Sequence, residues 1–306
     1  MTQIPFVDFR EAVRKHPLEL PGVEALTAAE REGAQEHWRI HMAAELASAR
    51  VFSGLVPQMM AAGLPYEEVR EVTDMARQEV EHGLQSARVL AALGGVPVSA
   101  LPPLDPVPGH EGAPPLEAVL RNVISISCCG ETLAVAVIGS ERERATIERL
   151  EEVLTGILAD EVGHARFGWR LLRDVGSAID DEMKRRLSAY LVAVFERDLR
   201  VMRRCAEAPE ASFAALAVGA SDGPLAWSTF LDTANEVTIP GLERHGLKAR
   251  WAFEKAWSRA GLEGEAPGAC STESGGRQEG EERDGQGGGE AGRREDPDRS
   301  VGSRIR

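Results

Sequence analysis

Two copies of the motif Glu-x-x-His, each set within an apolar helical stripe, constrain this chain more than any other feature. The first copy reads EVEH at residues 79–82 and the second reads EVGH at residues 161–164. Apolar or small residues flank each motif at intervals of three and four, which is the spacing of one face of an α-helix. These stripes are Val72, Met75, Ser86 and Val89 around the first motif, and Ile147, Leu150, Leu154, Ile157, Gly168 and Leu171 around the second. We therefore expect each of two helices to point a carboxylate and an imidazole into the core.

Two further glutamates are predicted to face inward, one from each of two other helices. Glu45 lies within MAAELASA and Glu131 within CGETLA. Their apolar companions at helical spacing are Trp38, Met42, Ala49, Phe52 and Val56 for the first, and Leu120, Ile124, Val135 and Ile138 for the second. Glu45 precedes Glu79 by 34 residues and Glu131 precedes Glu161 by 30. In antiparallel hairpins this spacing places each lone glutamate opposite its partner's motif, so all six side chains can meet at one level.

The helix signals indicate two hairpins joined by one long connection. Thr27 and Glu30 form a capping-box pattern, Gly63 and Gly94 are stop signals, and Pro57 predicts a kink. Four long helices are predicted, over residues 27–62, 65–93, 116–139 and 142–175. The segment between the hairpins, residues 94–115, is too rich in Pro and Gly for a helix and too long for a tight turn. It is predicted to be a crossover.

The rest of the chain divides by composition into three further parts. Residues 1–26 are an N-terminal extension, and residues 177–260 are additional helices packed on the bundle of residues 27–176. Within the additional part, helices are predicted over 179–206 and 242–260, whereas 207–241 is ambiguous. Residues 261–306 are rich in Gly, Glu and Arg, with few apolar residues, and are predicted to be disordered.

Composition favours an all-α fold and limits the partners. Aromatic residues make up only 5% of the chain, and the net charge of -14 argues against nucleic-acid binding. Residues 123–139 are apolar enough for a membrane but carry Glu131 at their centre, so we expect a buried helix and no membrane. The first residues lack a secretory signal and the four cysteines lack disulfide or C-x-x-C spacing, which fits the cytoplasm.

Over residues 27–175 the sequence resembles the ferritin-like carboxylate-bridged di-iron proteins, which take one Glu from each of two helices and Glu-x-x-His from each of the other two. The resemblance implies a ferritin-like four-helix bundle with extra C-terminal helices and a centre of two iron ions, with a manganese–iron pair as the alternative. The implied ligands are Glu45, Glu79, His82, Glu131, Glu161 and His164. Two divalent cations would also balance four buried carboxylates, which otherwise repel one another. A metal-free core network of ion pairs is the alternative reading.

The resemblance leaves three functions open. The first is a non-haem di-iron oxidoreductase or oxygenase that uses O₂ or peroxide to oxidise a small molecule, with an external electron donor and a homodimer as a further expectation. The second is a rubrerythrin-like peroxide reductase, although the chain lacks a C-x-x-C iron site and has Ala134 where that family places a further Glu. The third is ferritin-like iron storage.

Several neighbours of the six residues each have two interpretations. His41 is an extra ligand or a carboxylate partner, or else an ordinary histidine, and Asp160 bonds a neighbouring imidazole or forms a salt bridge. Cys128 lines a pocket or fills the core, and Glu81 is expected at the surface or behind the ligands. The helical glycines Gly130, Gly163 and Gly168 clear a channel or permit close packing.

Overall fold

A computed structural model describes residues 6–101, 105–262 and 264 of the chain. The helices of this part are α1 (Arg10–Lys15), α2 (Ala28–Ala61), α3 (Tyr66–Ala92), α4 (Pro115–Val123), α5 (Thr132–Arg144), α6 (Glu148–Asp174), α7 (Asp181–Cys205), α8 (Phe213–Leu216), α9 (Gly223–Thr233), α10 (Ile239–Arg244) and α11 (Ala249–Arg259). Two strands, β1 (Phe6–Asp8) and β2 (Val98–Ala100), complete it. The predicted all-α class is confirmed, apart from this small sheet.

The first hairpin pairs α2 with α3 along their length. Thr27 caps α2: its side chain accepts from the Glu30 amide, and the Glu30 carboxylate accepts from the Thr27 amide. Gly63 adopts a left-handed φ of 68° in the turn, a conformation that glycine tolerates best. Pro57 lies within α2, which continues past it for another turn. The predicted bounds of both helices are therefore close to the observed ones.

The second hairpin differs from prediction at its turn. α4, a π-helical segment over Ile124–Glu131 and α5 form one continuous helix, and α6 begins after Ile147. The predicted end at Gly139 and restart at Arg142 are wrong, because Glu141 is only 9% exposed and holds the last turn of α5 in contact with the bundle. The chain instead turns at Ala145 and Ile147, which have extended backbone.

The crossover between the hairpins carries β2, and its described residues before α4 are not helical. β2 pairs antiparallel with β1, with Phe6 opposite Ala100 and Asp8 opposite Val98. The Phe9 amide also donates to the Pro97 carbonyl at 3.0 Å. The sheet therefore attaches the N-terminal segment to the crossover.

The helices after residue 176 contact the bundle at several places: α8 lies against α2, α7 against α4, and α9 against α5. α7 and α11 lie against each other, with Phe195 edge-on to Phe253 at 5.4 Å. Glu117 of α4 is fully buried and accepts from Arg121 at 2.6 Å and from Arg186 of α7 at 2.7 Å. This buried carboxylate links the added helices to the second hairpin.

The prediction of one continuous last helix over residues 242–260 is wrong. It is divided between α10 and α11, with Gly246 at a left-handed φ of 78° between them. The ambiguous segment contains α8, α9 and a second π-helical turn, Ala234–Thr238. Of the predicted tail, residue 263 and residues 265–306 lie outside the described part.

Among the described residues, one helix is long and apolar enough to cross a membrane by length and composition. It spans Pro115–Arg144, and an 18-residue stretch of it has a mean hydropathy of 1.7. A core helix passes the same test, and this one carries the buried Glu131 into the bundle.

Gly168 of α6 serves close helix packing. A Cβ atom there would lie 2.6 Å from Ser127 Cβ and 2.9 Å from Cys128 Sγ. We expect Gly168→Ala to lower the free energy of unfolding by about 1–3 kcal/mol through overpacking. Gly163→Ala is the matched control, because no atom lies within 4 Å of its Cβ position, and it should raise stability by about 0.5–1 kcal/mol. Urea denaturation measures both, and equal effects would contradict this account.

Candidate metal centre

The structure brings all six predicted side chains together in the middle of the bundle. α2 supplies Glu45, α3 and α6 each supply a Glu-x-x-His pair, and the π-helical segment supplies the sixth residue. Each is less than a tenth exposed: Glu45, Glu79, His82, Glu131, Glu161 and His164. Four carboxylates and two imidazoles are therefore gathered where water is largely excluded.

The six residues form two overlapping groups of four. In each group, one oxygen or nitrogen from every member lies within 4.8 Å of the others. The groups are Glu45, Glu79, His82 and Glu161, and Glu79, Glu131, Glu161 and His164. Glu79 and Glu161 belong to both groups. The arrangement thus suits two adjacent cations bridged by two carboxylates, with one further carboxylate and one imidazole at each.

Hydrogen bonds behind the imidazoles fix their orientation. His82 Nε2 lies 3.1 Å from Asp160 Oδ2, and the Gln78 amide donates to Asp160 Oδ1 at 2.7 Å. The Gln78 carbonyl oxygen therefore faces His164 Nε2, 3.1 Å away, and must accept from it. Both rings thus direct Nε2 outward and Nδ1 toward the carboxylates, the orientation that outer partners impose on metal-bound histidines.

The inner nitrogens lie very close to the carboxylates. His82 Nδ1 is 3.0 Å from Glu161 Oε1, and His164 Nδ1 is 2.9 Å from Glu79 Oε1. A neutral Nδ1 that carries no hydrogen cannot donate to these oxygens. Either protons or cations must therefore lie between them.

Unpartnered atoms show that the donor set fits cations. Glu79 Oε1, His82 Nδ1 and Glu131 Oε1 are buried and lack a hydrogen bond of acceptable geometry. Buried polar atoms are nearly always satisfied, so three such atoms in one cluster call for another partner. Oxygen and imidazole donors without thiolate suit iron or manganese.

In the metal-free cluster the electrostatics favour shared protons. Burial, together with the neighbouring carboxylates, raises the pKa values of Glu45 and Glu131 well above the usual value. Burial also opposes ionisation of Glu79 and Glu161, but their contacts with the two imidazoles outweigh it and lower their pKa values.

The same contacts act on the imidazoles in the opposite direction. Burial disfavours the charged form of His82 and His164, but the adjacent carboxylates raise their pKa values to about 11 and about 9. Two imidazolium groups therefore offset two carboxylates, and burial favours the neutral form of Glu45 and Glu131.

The surroundings settle most of the double interpretations. Asp160 contacts the His82 imidazole of the neighbouring helix, a hydrogen bond that is also an interhelical ion pair when His82 is protonated, so both interpretations hold. Cys128 is fully buried against Gly168 and fills the core, and Glu81 is exposed. His41 Nδ1 lies 4.0 Å from Glu45 Oε1, outside both groups of four.

Gln78 is the functional neighbour that sequence reasoning missed. It precedes Glu79 just as Asp160 precedes Glu161, so the longer motifs QEVEH and DEVGH carry the signal. A comparison of the residue that precedes the glutamate in each motif would have identified Gln78.

Two cavities lie outside the cluster. One, of about 360 Å³, reaches His82 and Asp160 from the surface. The other, of about 800 Å³, lies among the added helices and touches none of the six residues. The added helices therefore do form a cavity, but it is remote from the centre.

Comparison with known proteins supports the fold. No protein-family model and no curated protein matches the chain. Among solved structures it is similar to a protein with aldehyde deformylating oxidase activity from Synechococcus, with 18% sequence identity and a TM-score of 0.52. The match covers 76% of this chain and 98% of that one. The chain has a ferritin-like helical-bundle fold. At this identity the likeness shows the fold alone.

Proposed function

We propose that the protein is a non-haem di-iron oxidoreductase that reduces O₂ or peroxide and oxidises a small organic molecule. The observation that carries the proposal is the pair of overlapping four-residue groups that share Glu79 and Glu161, with unpartnered atoms inside them. Two iron ions held there would supply the reversible one-electron chemistry that this reaction needs. The oxidase activity of the structural neighbour supports the same class.

The roles of the six residues follow from which group each belongs to. Glu79 and Glu161 would bridge the ions, Glu45 and His82 would hold one, and Glu131 and His164 would hold the other. Gln78 and Asp160 keep the imidazoles turned inward by hydrogen bonds.

The bundle around the centre keeps bulk water away. Phe52 is fully buried and lies 5.5 Å from the His164 ring, centre to centre. Apolar side chains that are also fully buried continue this shell, among them Ile124, Cys128 and Phe167. An apolar surround protects a reactive centre from side reactions with water and favours a small apolar substrate.

Electrons are proposed to come from a separate donor. Cys128 and Cys129 are adjacent, buried and free, so they do not form the paired-cysteine iron site that feeds electrons within some chains. A cytoplasmic reductase would meet this requirement.

The test is iron content and oxygen chemistry of the full chain. We expect two irons per chain after anaerobic loading, and a new near-ultraviolet or visible absorption band when the reduced protein meets air. Candidate substrates, including aldehydes assayed for released formate, should then increase oxygen uptake. Faster reaction with peroxide than with O₂ would favour a peroxide reductase, and a large shell on a sizing column would favour storage. A folded helical protein that binds no metal would contradict the proposal.

A further inference from the structure

A second cluster of metal-ligand residue types lies beside the centre. His37 and His41 project from one face of α2, four residues apart, and Glu141 comes from the last turn of α5. One nitrogen or oxygen from each lies within 4.8 Å of the others. The two imidazole rings are 4.4 Å apart, centre to centre, and His37 Nε2 lies 3.0 Å from Glu141 Oε1. The cluster shares no residue with the six described above.

Two atoms of this cluster lack a hydrogen-bond partner although they are buried. They are His37 Nε2 and Glu141 Oε2, on residues that are each 9% exposed. The short contact of His37 Nε2 with Glu141 does not have hydrogen-bond geometry. The 3.0 Å contact of His37 Nε2 with Glu141 Oε1 leaves Glu141 Oε2 without a hydrogen-bond partner, and an ion held between the two groups would satisfy both.

Ser221 holds the His37 ring from the other side. Its hydroxyl oxygen lies 3.0 Å from His37 Nδ1, so it can accept the Nδ1 hydrogen and leave the Nε2 lone pair free. The Trp38 indole donates to the Val218 carbonyl at 2.8 Å, which fastens the same loop to α2. A fixed ring with a free inward nitrogen is the arrangement that metal-ligating histidines use.

We propose that His37, His41 and Glu141 bind a third metal ion, a single divalent transition-metal ion such as Zn²⁺ or Fe²⁺. Two imidazoles and one carboxylate are a donor set that suits these ions, and two histidines four residues apart on a helix can share one. The His41 side chain is 25% exposed, so an ion can enter from solvent. Three protein ligands also leave a coordination position for water.

The ion would lie next to the main centre without sharing its ligands. The nearest approach given by these side chains is His41 Nδ1 to Glu45 Oε1, at 4.0 Å. The ion would also join α2 to α5 at the end of the bundle. The site therefore stands whether or not the main centre holds iron.

The test is a zinc titration of the iron-loaded, air-oxidised full chain. We expect one Zn²⁺ per chain beyond the two irons, with zinc counted after gel filtration and its affinity measured by calorimetry. His37→Ala and Glu141→Gln should each weaken this binding by about 100-fold or more, since a removed ligand matters at least as much as a removed outer partner. His245→Ala is the matched control, because His245 follows α10 and belongs to no cluster.

Two further variants keep the outcome unambiguous. His41→Gln changes a partly exposed position, so it should fold normally and still lose the zinc. Glu161→Gln removes a residue of the main centre but none of this cluster, so it should keep the added zinc. This variant therefore separates failure of the third site from failure of the di-iron proposal. Zinc should raise the melting temperature of the unaltered protein but not of His37→Ala. No zinc binding by the unaltered protein, or full retention by His37→Ala and Glu141→Gln, would overturn the third site.

Discussion

The Glu161→Ala protein is expected to lose both metal ions, whereas His164→Ala is expected to lose only one. Glu161 belongs to both four-residue groups, so its removal takes one ligand from each position. His164 belongs to one group, and the position built on Glu45 and His82 keeps all of its residues. Glu131→Ala should behave like His164→Ala for the same reason.

The measurement is metal content per chain after reconstitution with iron, followed by removal of loosely bound ions. Glu81→Ala is the matched control, because Glu81 lies in the EVEH motif but is exposed, and it should keep both ions. Each of the other variants removes a buried ionisable group, so the folded state of all of them is checked by helical circular dichroism. Two ions retained by Glu161→Ala, or equal losses in Glu161→Ala and His164→Ala, would refute the bridging assignment.

The six-residue cluster could be predicted because burial and helical period act together. A carboxylate on an apolar stripe has no low-energy place in a helical core unless other charged groups meet it there. Glu45 and Glu79, in one hairpin, and Glu131 and Glu161, in the other, satisfy that condition at matched heights. Their position in the fold was therefore accessible from periodicity alone.

The π-helical segment Ile124–Glu131 could not be read from the sequence. A π-turn carries i→i+5 hydrogen bonds and fits extra residues into the helix, which rotates every later side chain around the axis. Val135, predicted on the inward face with Glu131, is accordingly only partly buried, while Ile138 is buried. Local residue preferences do not mark this change, since it depends on packing against α6.

The second cluster, of His37, His41 and Glu141, was missed for a related reason. Glu141 lies beyond the predicted helix end at Gly139, where a turn residue would be solvent-exposed. Its burial against His37 is a long-range contact between two hairpins, and it offsets the low helix propensity of Gly139. The three-residue strands β1 and β2 likewise depend on pairing across the fold, because neither is long enough to show an alternating pattern.

Binding of two divalent ions should release about four protons near pH 7. The pKa values of His82 and His164 are raised to about 11 and about 9, and burial raises those of Glu45 and Glu131 well above the usual value, so we expect all four to favour their protonated forms in the metal-free cluster. Metal ligands must be unprotonated, so the ions displace these protons. Two ions and four protons carry the same charge. The exchange therefore leaves the buried cluster electrically balanced, which explains how the fold tolerates it in both states.

The sign of the pH dependence follows from the displaced protons. At pH values below the four pKa values, lowering the pH favours the protonated cluster and weakens metal binding. With about two protons displaced per ion, apparent affinity should rise about 100-fold for each pH unit in that range. The rise should become less steep above the pKa of His164, about 9, and continue until His82 also loses its proton, at about 11.

Calorimetry with Mn²⁺ in two buffers measures the number of protons released, because the two heats differ by that number multiplied by the difference in ionisation enthalpy of the buffers. Glu131→Gln provides the matched control: its amide has the shape of the protonated carboxyl but no proton to lose, so the count should fall by about one. If the unaltered protein released no protons, all four groups would already be deprotonated without metal, with neutral imidazoles beside four charged carboxylates. The cluster would then carry uncompensated buried charge, and the metal-free fold should be correspondingly unstable.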